Sequence, residues 1–417
     1  MSESTQVNSL QEVTQGLIIM AGGLSQRMGQ AKALLPWQGK TLLESLLDRA
    51  LAAGYEDILV SLGPKDDSYA LPENIRLYLD QHNQIQLVHD EERKGPLGGL
   101  AQALSHGQSE TYAVVAVDMP FVDFKELRVA AKALMATDMD GNDKGRFGLN
   151  AQVDALAEAQ GDGTMHASTN VIKPDSTPDF NRNIEAVVFS RDNHVEPLYA
   201  VYKKTVLQSA QEALANNQLR LQAWVESLEH KVLTLSDQGW QAMNVNRPED
   251  YKLAQFKALN ASRQTPIISV VSATRKSGKT TAVVKLVKTL SQRGYKVGLV
   301  KSDKHGFDMD RPGSDTDQAM TAGAQAVAIA GPNEYALRVK TQEQANLYDL
   351  TQTLPNVDLV ILETRSQGLA PIVEVYLPGH TDGFIAEEED LLARIDIRHF
   401  DDKAADELVD RLIIPVL

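Results

Sequence analysis

The sequence contains no cysteine. That excludes disulfides, thiolate–metal sites and cysteine nucleophiles, and it suits a reducing compartment. No apolar run approaches the roughly 20 residues that span a bilayer. The polar opening MSESTQVNSLQEVTQ lacks the basic-then-apolar order of an export signal. A cytoplasmic chain with no membrane span and a flexible tail over residues 1–15 is therefore expected. Positive charge is scarce as well: 41 Lys and Arg face 56 Asp and Glu, a formal charge of −15. Such a chain repels nucleic acid and anionic membranes. Small anionic ligands stay open, because a phosphate site needs only a few amides, one Lys and a metal ion.

At 417 residues the chain exceeds what one hydrophobic core usually serves, so two domains are expected. Two segments open alike, with an apolar run, a loop of small and basic residues, and then a helical pattern. The first is GLIIM at 16–20, followed by the loop 21–32 and a helix from about Thr41. The second is IISVVS at 267–272, followed by 273–279 and a helix from Thr280. In that second helix Val283, Leu286, Val287 and Leu290 recur on one face, and Gly294 is a natural stop. Further strands are expected at 58–62, 85–89, 113–117, 186–190, 297–301 and 359–363. Strands alternating with helical patterns indicate βαβ units and mainly parallel sheets in both halves. The linker is expected at 260–265 (NASRQT). A segment at 137–183, rich in Asp, Gly, Asn, Ser and Thr, reads as an insertion.

Candidate chemistry follows from these loops. Ala21, Gly22 and Gly23 end a buried strand, where a bare backbone can approach a base edge or phosphate. Arg27 and Lys32 are placed to neutralise a triphosphate, the one as a fork and the other as a point charge. Asp118 closes the apolar strand AVVAV, where a carboxylate is costly to bury without a purpose, and it is the candidate metal ligand. A helix-capping Asp ahead of Pro120 is the plainer alternative. Asp90 follows another strand in the same way. Gly95, Gly98 and Gly99 suit a tight loop near the base. Asn244 and Asn246 alternate, so both point to one face if extended, although turn residues would also explain them.

In the second half Ser277, Gly278, Lys279, Thr280 and Thr281 lie between a strand and a helix, the setting of a phosphate-binding loop. Lys279 would reach the β- and γ-phosphates and Thr280 would hold Mg²⁺. Glu363, at the end of an apolar strand, could contact that ion through water or make a structural salt bridge. The loop departs from G-x-x-x-x-G-K-[ST], with Ala273 at the first Gly and Lys276 where many related loops have another. His305 has no second ligand at metal spacing, so no zinc site is expected.

The string LIIMAGGLSQRMGQAK resembles the glycine-rich signature of nucleotidyltransferases. The strings VHDEERKGPLGGL (88–100), VVAVDMPF (114–121), EPLYAVY (196–202) and MNVNRPEDY (243–251) are similar to the molybdenum cofactor guanylyltransferase (MobA) branch. The resemblance spans about 16 to 258. In the second half KSDKHGFDMDRPGSDT (301–316), VDLVILE (357–363) and IVEV (372–375) resemble its small GTP-binding partner, MobB. There Thr364, Arg365 and Ser366 replace the usual Gly-led turn after the Glu.

The resemblance implies an α/β chain with an N-terminal Rossmann-like nucleotidyltransferase domain (16–259) and a C-terminal P-loop NTPase-like domain (266–417). It implies Mg²⁺-dependent transfer of GMP from GTP to the phosphate of molybdopterin. Asp90 would take a nucleotide or metal role, and Asn244 and Asn246 would line the pterin side. Molybdopterin-synthesis enzymes and apo-molybdoenzymes are the partners it suggests. Ala31 stands where the family usually has an acidic residue, so a cytidylyltransferase on the same pterin is the alternative enzyme. A non-catalytic GTP-binding adaptor is the alternative of another class.

Overall fold

The computed structural model describes residues 15–22, 31–64, 71–139, 184–191, 193–235, 237–303, 306, 311–380 and 383–417. Gly23, Arg27 and His305 fall outside them, as does most of the expected tail and insertion. The structure divides into two compact units, Met1–Asp250 and Tyr251–Leu417.

The first unit is built on seven strands: β1 (Gln15–Met20), β2 (Asp57–Leu62), β3 (Ile85–His89), β4 (Thr111–Ala116), β5 (Ala186–Arg191), β6 (His194–Lys203) and β7 (His230–Thr234). They lie in the order β3-β2-β1-β4-β6-β5-β7. The first four are parallel, and β6 runs antiparallel to both β4 and β5. The period of two in GLIIM explains why β1 sits centrally. Leu17 and Ile19 enter one apolar cluster while Ile18 enters the other, on the opposite face.

Helix α1 (Leu42–Ala52) begins where expected because Thr41 and Glu44 form a reciprocal capping box. Helix α2 is Gly95–His106, and α3 (Phe124–Met139) continues through 137–139, where the insertion was expected to begin. The strand β6 was not anticipated. Its apolar residues follow the polar start His194-Val195-Glu196, and only pairing with β4 and β5 reveals it.

In the second unit the sheet runs β9-β12-β8-β13-β14 and is parallel throughout. Its strands are β8 (Ile267–Val271), β9 (Val297–Lys301), β12 (Leu359–Glu363), β13 (Ile372–Tyr376) and β14 (Leu391–Asp396). A separate antiparallel pair, β10 (Ala326–Ala330) and β11 (Tyr335–Val339), was also missed, since it buries no apolar face.

The expected linker needs correction. Helix α4 (Pro248–Ala261) carries Phe256 into the core of the second unit, and the division falls at Asp250 and Tyr251 instead of 260–265. Asn260 is fully buried, donating to the Val416 carbonyl at 2.9 Å and accepting from the Ile267 amide at 3.1 Å. Polar residues there fasten a helix end, which composition alone reads as a linker. Helix α5 (Lys279–Gln292) starts one residue before the expected Thr280. No helix among the described residues is long and apolar enough to cross a membrane.

Candidate functional site

Parallel strands of an open α/β sheet deliver their last residues to one edge, and the N-terminal candidates gather there. Ala21 donates its amide to the Ser61 carbonyl at 2.8 Å, holding the end of β1 against that of β2. At Gly22 a Cβ would stand 3.0 Å from the Gly63 nitrogen and 3.1 Å from the Leu62 carbonyl carbon. Both obstacles are backbone, so only glycine fits without moving a strand end.

Lys32 opens a short 3₁₀ turn, Lys32–Leu34. Its ammonium donates to Asp118 Oδ2 at 2.5 Å and to Asn246 Oδ1 at 2.6 Å. Three segments far apart in sequence thus meet at one cationic point. Asp118 is no helix cap. Its side chain is directed to Lys32, and its carbonyl accepts from the Val245 amide at 2.8 Å, which ties the Asn244–Asn246 segment to the end of β4. The two asparagines have different partners, both beside Asp118. Asn246 accepts from Lys32, whereas Asn244 lies beside Glu196 and donates to the Ala242 carbonyl at 3.4 Å.

Glu196 is a residue that sequence reasoning passed over, although it stands in the string EPLYAVY. It lies on β6, the antiparallel neighbour of β4, near enough to Asp118 to feel its charge. Burial raises its proton affinity, and the negative charge of Asp118 adds to this, against the opposing effect of Arg191 at 3.8 Å.

The glycines after Asp90 also need correction. Gly98 and Gly99 are buried within α2, and Gly95 is its first residue, so they form no loop. They let α2 approach the sheet. A Cβ on Gly99 would lie 3.0 Å from Met20 Cε and from Ser61 Oγ, and one on Gly98 would lie 3.4 Å from Asp90 Oδ2. Asp90 itself is anchored by its amide to the Leu62 carbonyl at 2.9 Å. Its carboxyl is raised by burial and by the neighbouring Glu92 and Glu91. A cleft of about 370 Å³ opens beside it, lined in part by Glu92, Lys94 and Gln102.

The second unit repeats the theme with a different loop. Gly278 has φ +84°, and a Cβ there would come within 2.3 Å of Ile397 Cγ1. Lys279 Nζ donates to the Thr364 carbonyl at 2.7 Å, and Thr280 Oγ1 donates to Glu363 Oε1 at 3.1 Å. Glu363 is buried at the end of β12, and Lys301 stands 3.9 Å from it. Burial lowers the Lys279 proton affinity, and Glu363 opposes the shift. Ser277 is buried and bonded to Ser272 Oγ at 2.6 Å, whereas Thr281 is exposed on the first turn of α5. Ala273 keeps a negative φ, so the missing first glycine is tolerated. Lys276 takes φ +58°, the left-handed region where many related loops have glycine.

Two family descriptions match the chain: a MobA-like NTP transferase domain over residues 17–232, and molybdopterin guanine dinucleotide synthesis protein B over 267–396. A probable molybdenum cofactor guanylyltransferase of Bacillus licheniformis is 24% identical over 236 residues, covering 56% of this chain and 92% of that protein. The molybdopterin-guanine dinucleotide biosynthesis adapter protein of Escherichia coli K12 is 33% identical over 102 residues, covering 25% of this chain and 58% of its own length. The crystal structure of molybdopterin-guanine dinucleotide biosynthesis protein A from Archaeoglobus fulgidus aligns over 58% of this chain and 96% of its own, with 19% identity and a TM-score of 0.38. The chain belongs to the MobA-like nucleotidyltransferase family and carries a MobB-type P-loop domain behind it.

Proposed function

We propose that the N-terminal unit transfers GMP from GTP to the terminal phosphate of molybdopterin, and that the C-terminal unit is a GTP-binding accessory. The convergence of Lys32, Asp118 and Asn246 carries the reading, because it places a cation between two oxygens at the C-terminal edge of the sheet. Oxygen donors suit Mg²⁺, which is commonly held by one or two protein ligands and completed by substrate phosphates and water. Among the described residues no group of three or more His, Cys, Asp or Glu could hold a metal unaided, in keeping with such a shared site. Asp118 would hold the ion with the Asn246 oxygen beside it, and the ion would supply charge neutralisation at the triphosphate.

An oxygen of the molybdopterin phosphate attacks the α-phosphorus of GTP in line. The new P–O bond forms as the bond to the β-phosphate breaks, and pyrophosphate leaves with the electron pair. The acceptor is already ionised near neutral pH, so no general base is required. Rate enhancement then rests on positioning and on charge. Lys32 follows the phosphates when they bind, and Arg27 adds a second cation. Ala21, Gly22, Asp90, Gly95 and Gly98 would form the nucleotide side of the cleft, and Asn244 and Asn246 the acceptor side. In the second unit Ser277 to Thr281 would cradle a second nucleotide, and Thr280 and Glu363 would hold its Mg²⁺, which would neutralise phosphate charge.

Replacing Asp118 by Asn keeps the shape but removes the charge. We expect pyrophosphate release from GTP to fall by about a hundredfold or more, with the urea midpoint little changed. Wild-type turnover in Asp118→Asn overturns the assignment.

A further inference from the structure

Three large rings sit directly beside the three segments that meet at Lys32. Trp37 lies five residues after Lys32, Phe121 three after Asp118, and Trp240 four before Asn244. Trp37 and Phe121 meet edge to face, with centroids 5.7 Å apart and planes at 82°. Phe121 and Trp240 do the same at 5.5 Å and 84°. One ring from each segment therefore forms a continuous ladder with Phe121 in the middle. Trp37 is buried, and Phe121 and Trp240 are half-buried.

Phe121 is also bracketed on its own chain. Arg49, reaching from α1, donates to the carbonyls of Pro120, at 2.5 Å, and Val122. The residue that joins the ladder is thus fixed from both sides, in the loop that leaves Asp118.

We propose that Trp37, Phe121 and Trp240 are positioning residues, a three-ring fastener that keeps the Lys32, Asp118 and Asn246 groups in one constellation. The inference rests on the transferase reading for its effect on turnover, and on geometry alone for its effect on cation binding. Edge-to-face contacts are directional, so they fix the separation of their backbones more closely than aliphatic packing does. An error of about 1 Å in such a site can cost about a hundredfold in rate.

The test compares Phe121→Leu, which keeps apolar bulk but loses the ring, with Phe121→Tyr, which keeps the ring. Two quantities are read on folded full-length protein carrying Lys279→Ala, which silences the nucleotide site of the second unit: kcat for pyrophosphate release, and Mn²⁺ affinity by electron paramagnetic resonance in the presence of GTP. Phe121→Leu should lower kcat by about tenfold or more and weaken Mn²⁺ binding by about fivefold, with KM for GTP changed less than about threefold. Phe121→Tyr should restore both to near wild type. Trp240→Leu, at the half-buried end of the ladder, should reproduce the loss and decides the matter if Phe121→Leu fails to fold. Wild-type kcat and Mn²⁺ affinity in folded Phe121→Leu or Trp240→Leu, or failure of Phe121→Tyr to restore them, overturns the proposal. If the wild-type chain releases no pyrophosphate, the transferase reading falls. The Mn²⁺ comparison still decides the fastener.

Discussion

Glu126 offers a prediction whose size can be worked out in advance. It stands in the first turn of α3, where its Oε2 accepts from the Tyr199 hydroxyl at 2.8 Å. Burial raises its pKa from 4.5 to about 7, the bond from Tyr199 opposes this, and the charge of Asp123 adds to it. Between those two values the native state binds more protons than the unfolded state. Stability therefore falls as pH rises from about 4.5 to about 7 and is level above that window. The gap corresponds to about 3 kcal/mol, and the side chain's residual contact with water trims it to about 2 kcal/mol.

Glu126→Gln keeps an oxygen for Tyr199 and removes the titration. The variant should gain about 2 kcal/mol over wild type at pH 8 and much less at pH 5. Urea unfolding followed by tryptophan fluorescence reads this cleanly. The chain has 3 Trp (Trp37, Trp224 and Trp240), all in the N-terminal unit. The same dependence on pH in variant and wild type would refute the reasoning.

Three further outcomes follow from the second unit and the strand ends. Gly278→Ala must place a methyl against Ile397 in a left-handed backbone, so GTP binding by the second unit should be lost and its stability should fall by about 1–3 kcal/mol; calorimetry with GTP and thermal melting check both. Lys276→Gly relieves a left-handed non-glycine, and should stabilise that unit by up to about 1 kcal/mol if the loop loses no phosphate contact, as read by the shift in melting temperature. Gly22→Ala forces apart the ends of β1 and β2, and KM for GTP should rise about tenfold or more in steady-state assays.

The parts legible in sequence were those with short-range signals. GLIIM and IISVVS are continuous apolar runs, because central parallel strands are covered on both faces. Thr41 and Gly294 mark helix ends by local chemistry. Asp118 and Glu363 were visible as carboxylates at the ends of apolar strands. What stayed hidden depends on contacts between distant segments. Glu196 acquires meaning only from Asp118 and Arg191, which the fold brings beside it, and Arg49 only from the carbonyls it reaches 71 and 73 residues away. The linker was expected at 260–265 because the segment follows a helical pattern and precedes a Pro-led strand, and Asn260 looks the same in sequence whether it is solvated or spanning two backbone partners. The doublet Gly98-Gly99 suggested a loop, whereas its function is to let a helix lie close to the sheet.

The most direct test of the central claim is pyrophosphate release by the purified chain given Mg²⁺ and molybdopterin-bearing cofactor, with GTP or CTP in parallel. GTP should support release and CTP little, and Asp118→Asn should lose about a hundredfold or more. Release with CTP alone would contradict the assigned base, and no release with either nucleotide would contradict the transferase reading.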